Sequence, residues 1–127
     1  CLGGGSGYLC LGRGDSTNYS YDCDGDWSGI NETQTVTLDS LSDNLGGQVQ
    51  VALTISSGAG SLNVSLLSDS EPLTAVVNAG EPLTLTGVAN IAETRTLTLV
   101  VEPLAPSYRL ADRASGIEWQ LTVRPEP

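Results

Sequence analysis

The chain has 127 residues, with 15 acidic side chains against 5 arginines and a formal charge of −10. Lacking histidine and lysine altogether, it holds no Ser-His-Asp triad, no imidazole metal ligand, no Schiff-base lysine and no P-loop cradle. So negative a protein repels phosphate, which argues against nucleic acid and anionic membrane surfaces as partners, and no stretch nears the roughly 20 apolar residues of a membrane-spanning helix.

Composition divides the chain near residue 33: residues 1–32 are rich in Gly, Ser, Asp and Tyr, and residues 33–127 alternate polar and apolar side chains. The opening Cys1-Leu2-Gly3-Gly4-Gly5-Ser6-Gly7 resembles the start of mature bacterial lipoproteins, in which the first cysteine carries lipid and a flexible linker follows. That resemblance implies a lipid anchor on Cys1 and a periplasmic or cell-surface location. With Cys1 acylated, Cys10 and Cys23 remain of the three cysteines as a disulfide pair that would tether an irregular loop; two free buried thiols are the alternative.

Within that loop, Asp22, Asp24 and Asp26 stand at alternate positions, followed by Ser28 and Glu32. Ca²⁺ takes six to eight oxygen ligands, and carboxylates two apart in a tight loop can converge on one ion. The segment resembles the first half of an EF-hand loop but has its Gly25 at the fourth position and Thr33 at the twelfth. The competing reading is a solvated acidic turn, so calcium is a possible cofactor and none is required. Tyr19, Tyr21 and Trp27 lie in the same stretch, where they could stack on a sugar, anchor an interface or form a small core beneath the disulfide.

Beyond residue 33, period-two alternation predicts strands at Thr35 to Leu38, Gln48 to Ile55, Leu62 to Leu66, Leu83 to Leu85, Leu97 to Val101 and Ile117 to Val123, with a weaker one at Leu73 to Val77. Turn signals separate them at 43–47, 57–60, 78–80 and 103–106, and only Asn90 to Glu93 could form a turn of helix. Short strands at this spacing predict an all-β antiparallel sandwich, jelly-roll-like, of about seven to eight strands. Trp119 alternates with Leu121 and Val123 and is expected in the core.

From Gln34 onward the strand order resembles the bacterial pre-peptidase C-terminal domain, on the strength of Gln48 to Ile55, Gly58-Ala59-Gly60-Ser61-Leu62-Asn63-Val64-Ser65-Leu66-Leu67 and the closing Ile117 to Val123. In that family acids and a Tyr stand where this chain has Ser61, Asn63 and Ser65, so a family acidic site there is not expected. The resemblance implies a noncatalytic accessory module. The resulting expectation is a lipid-anchored extracytoplasmic subunit, not an enzyme, docking on other envelope or surface proteins. The alternative is a carbohydrate- or matrix-binding module using the N-terminal aromatic and acidic loop, with a glycan as partner.

Overall fold

The computed structural model describes residues 7–14, 19–30, 32–39, 41, 45–104 and 114–125. Among them nine strands form: β1 (Gly7–Arg13), β2 (Ser20–Ile30), β3 (Gln34–Leu38), β4 (Gln48–Ser56), β5 (Leu62–Leu67), β6 (Leu73–Val77), β7 (Leu83–Asn90), β8 (Leu97–Pro103) and β9 (Ala114–Pro125). One sheet has the order β1-β2-β9-β4-β7 and the other β3-β8-β5-β6, and every described pairing is antiparallel. Apart from the β1–β2 and β5–β6 hairpins, each connection carries the chain from one sheet to the other. Strands β2 to β9 thereby form the two facing four-stranded sheets of a jelly roll. β1 stands outside that set, an added edge strand whose described ladder is with β2 alone.

This placement corrects the expectation for residues 1–32. The described part of that segment is regular strand, not irregular loop, because Tyr21, Cys23, Gly25 and Trp27 face inward while Asp22, Asp24 and Asp26 face out. The compositional boundary at residue 33 marks the passage from β2 in one sheet to β3 in the other. Both sides contribute to a single core: Cys23, Trp27 and Ile30 pack in the same cluster as Val36 and Leu38.

Alternation decides which side chains reach that core. In β4 the burial pattern runs strictly in step with the sequence, with Val49, Val51, Leu53 and Ile55 almost wholly inside. The pairing register lines these residues up across the sheet. One inner row runs Cys10, Cys23, Leu121, Leu53, Leu85, and the next Tyr8, Gly25, Trp119, Ile55, Leu83. The facing sheet supplies Val36, Leu38, Leu62, Val64, Leu66, Leu97, Leu99 and Val101. Burying each such side chain is worth roughly 1.5–3 kcal/mol, enough for the rows to fix register against a one-residue slip that would turn them to solvent.

Two polar clamps hold the crossovers. Arg95, at φ +52°, donates from Nε to the Leu41 carbonyl (3.2 Å) and from Nη1 to the Gly46 carbonyl (2.6 Å), tying the β3–β4 connection to the turn after β7. At Asn90 to Glu93, where the sequence allows a turn of helix, the chain makes a single hydrogen-bonded turn, the Arg95 N–H donating to the Ile91 carbonyl at 3.0 Å, and it is capped from outside. Asp69 accepts the Glu93 and Thr94 backbone N–H groups (2.9 and 3.1 Å) and the Thr94 hydroxyl (2.7 Å).

The Thr94 hydroxyl, followed by the Thr94 and Glu93 amides, holds the Asp69 carboxyl below its ordinary range. A depressed folded-state pKa stabilises fully above the unfolded carboxylate value of about 3.9 and is lost as pH falls through the lower folded value. Melting temperature is therefore expected to drop on acidification through that window. The drop should be smaller in Asp69→Asn, whose amide oxygen still accepts but carries no charge to neutralise. An equal acid response in the two proteins would show that the clamp does not couple to folding.

Candidate functional site

β1 is an unusual edge. Most exposed strand edges are guarded by lysine, proline or inward charges, because their unpaired N–H and C=O groups invite another strand. Here the sequence Gly7-Tyr8-Leu9-Cys10-Leu11-Gly12-Arg13 has none of these along its length, its one charge being at the end. Leu9 is 74% exposed, Tyr8 53% and Leu11 52%, and they form the densest group of exposed large apolar side chains among the described residues.

The hairpin geometry sets which backbone groups face outward. Cys10 and Cys23 lie directly opposite, joined by a disulfide, with their Cα atoms 4.0 Å apart. Close approach of that kind belongs to a non-hydrogen-bonded pair, for which the Cα separation is about 4.5 Å against about 5.5 Å in a hydrogen-bonded one. Leu9 and Leu11 therefore bond inward to Asp24 and Asp22, and the N–H and C=O groups of Tyr8, Cys10 and Gly12 point away from the sheet. The Cys10–Cys23 pairing is the one expected from the sequence.

Beside this edge, Asp22, Asp24 and Asp26 project from the outer face of β2. Alternate residues of a strand stand roughly 6.5–7 Å apart, so these carboxylates form a line and lack the convergence on one ion that a tight loop would give. Among the described residues no group of three or more His, Cys, Asp or Glu is placed to hold a metal. Glu32 lies exposed past the end of β2, its carbonyl accepting a bond from Gln34 Nε2 at 3.3 Å, and the Ser28 side chain is outside the described residues, as is Cys1. Asp26 faces Glu118 directly across the ladder, and Asp24 faces Gln120. With Thr54 and Ser56 these residues line an open groove of about 490 Å³ on the outer face of the five-stranded sheet.

The aromatic residues have other places. Trp27 is 6% exposed, with its ring 6.4 Å from that of Trp119, so it is a core residue with no face for a sugar. Tyr21 sits in the inner row opposite Val123, and burial, with the charges that Tyr19, Tyr8 and Asp39 can carry, pushes its hydroxyl above the ordinary tyrosine value. Tyr19 is half-buried and fills the space where a side chain on Gly12 would lie. Tyr8, which the sequence groups with these three, is the most exposed aromatic among the described residues. It reaches over side-chain-free Gly25 to Trp119, with centroids 6.2 Å apart.

No protein-family model matches the chain, and no curated protein matches it. Among solved structures it is similar to TmCBM61 in complex with β-1,4-galactotriose, at 13% identity over 94% of this chain and 88% of that one, with TM-score 0.44. It is also similar to a CBM4 structure (9%, 92% and 78%, TM-score 0.43) and to the Cupin_2 domain of an XRE family transcriptional regulator from Enterobacter cloacae (8%, 97% and 99%, TM-score 0.37). Likeness this distant carries no argument about activity or ligand.

Proposed function

We propose that the protein is a noncatalytic, extracytoplasmic docking subunit, held to a bacterial membrane by lipid on Cys1, which joins a larger envelope or surface assembly through the β1 edge. The observation that carries the reading is the exposed apolar strand with outward backbone groups, stapled to the jelly roll by a disulfide. A disulfide favours an oxidising compartment outside the cytosol. Strand addition to such an edge gains affinity from main-chain bonds and selectivity from alternate side chains, here Leu9 and Leu11.

The test is purification from native membranes, with mass spectrometry reading Cys1 acylation and co-purifying proteins together. The wild-type chain is expected lipidated and within a complex; the Leu9→Lys/Leu11→Lys variant is expected lipidated, folded and released from it. A complex that survives the double substitution overturns docking by this edge, and an unmodified Cys1 overturns the anchor.

A second reading, binding of a neutral glycan, is favoured by the groove along Asp24, Asp26, Thr54, Ser56, Glu118 and Gln120, whose carboxylates, amide and hydroxyls match sugar hydroxyl groups. Glycan-array binding that falls with Gln120→Ala would support it, and silence would remove it.

A further inference from the structure

We infer that the strand received by the β1 edge is β1 of a second copy of this chain, giving a two-fold dimer with one continuous ten-stranded sheet; this rests on the docking reading and specifies its partner. Only Tyr8, Cys10 and Gly12 offer outward backbone groups, so an antiparallel neighbour must bond to those positions. For two copies related by a two-fold axis, centring on Cys10 pairs the whole of Gly7–Arg13 with itself, whereas any shifted centre leaves residues unpaired. In the centred register Tyr8 meets Gly12 of the second copy, Cys10 meets Cys10 and Gly12 meets Tyr8. Each of these three pairs exchanges two backbone bonds.

The side chains suit that register. Leu9 falls opposite Leu11 of the second copy and Leu11 opposite Leu9, so four exposed leucines close over one another on the outer face. On the inner face Tyr8 is set against Gly12 of the second copy, so the two Tyr8 rings do not face each other, and the ring that Tyr8 meets there is Tyr19, which lies over Gly12. The segment is close to palindromic around Cys10 in the property that matters, Leu-Cys-Leu flanked by a ring on one side and a glycine on the other.

Charge does not forbid the pairing. The nearest acidic rows, on β2 of each copy, would lie three strand spacings apart, about 14 Å, beyond the roughly 8 Å screening length at physiological ionic strength. Because the residual repulsion is between like charges and the contact is apolar, association should strengthen as salt is added, the opposite of an interface held by ion pairs.

The experiment is sedimentation velocity of the full 127-residue chain, with Cys1 alkylated under native conditions so that its thiol cannot link two copies. The wild type is expected to be dimeric at submillimolar protein and more so at high salt. Leu9→Lys/Leu11→Lys should be monomeric, with the melting temperature that the wild type shows when diluted to monomer. A benzoyl-phenylalanine crosslinker at Leu9, activated in a mixture of ¹⁴N and ¹⁵N protein, should join one copy to the Leu11 region of the other. A wild type that stays monomeric to millimolar protein, or a dimer that survives both lysines, overturns self-pairing. If the pure chain is monomeric while its native complex is still lost in the double-lysine variant, self-pairing falls and the docking reading stands. If the native complex ignores the substitutions, the docking reading itself falls.

Discussion

Trp119→Ala is expected to destabilise the sandwich by about 3–5 kcal/mol, the range for removing a large aromatic from a packed core. Trp119 is 3% exposed and lies where three parts of the fold meet. Its ring neighbours Trp27 of β2 at 6.4 Å and Tyr8 of β1 at 6.2 Å, and Ile55 of β4 stands opposite it. The loss therefore includes the apolar area of the indole, the cavity left behind and two ring contacts, and it should loosen β1 as well as the core. Denaturant unfolding measures it, with Gln120→Ala as the control. Gln120 is the next residue on the same strand but faces solvent, so its substitution should stay within about 0.5 kcal/mol. Equal effects at the two positions would mean that the inward and outward faces of β9 are wrongly assigned.

Removing the disulfide is the second large effect. Cys10 and Cys23 are 13 residues apart, and the chain-entropy model gives about 3 kcal/mol for closing a loop of that size. The structural consequence should be local. β1 pairs with one strand and leaves Tyr8, Leu9 and Leu11 largely in water, so its burial returns little against the entropy of ordering it. Strands β2 to β9 keep their own core. Reduction, or the Cys10→Ala/Cys23→Ala pair, is expected to lower the melting temperature and to make residues 7–13 the first site of proteolysis while the remainder stays folded. Unchanged stability on reduction would show that β1 is held by its ladder alone.

The same two strands explain where sequence reasoning succeeded and where it did not. Strands β3 to β9 were legible because Val, Leu and Ile alternate with Thr, Gln and Ser, and burial rewards that period directly; Leu73 to Val77 is strand over the span expected. Residues 20–30 carry the same period, with Tyr, Cys, Gly and Trp alternating against Asp. Asp and Gly have low strand propensity, and three carboxylates two apart also fit a calcium loop, so local chemistry outweighed periodicity. Neighbouring β9 reverses the balance: it supplies β2 with ladder partners from Tyr21 to Trp27 and again at Gly29 and Ile30, and an inner row that buries Cys23 and Trp27.

The exposed β1 edge was hidden for a related reason. Nothing in a single strand distinguishes leucines that face a core from leucines that face water. The available signal was that Leu9 and Leu11 flank a cysteine expected to be cross-linked, which puts them on the opposite face from the bridge. Trp27, an aromatic in a polar segment, was open in sequence to stacking, anchoring or a core role, and its packing beside Trp119, 92 residues later in the chain, decides for the core.

Amide hydrogen exchange on β1 tests the central claim most directly, because the ladder with β2 and any ladder on the free edge use different amides. Leu9 and Leu11 donate toward β2 and should be protected whether the protein is free or assembled, while the Tyr8, Cys10 and Gly12 amides face outward. The account predicts that these three exchange freely in the isolated Leu9→Lys/Leu11→Lys chain, in strict alternation with protected positions 9 and 11, and become protected in the wild-type assembly. An intact assembly in which Cys10 and Gly12 still exchange at the rate of the isolated chain would contradict it.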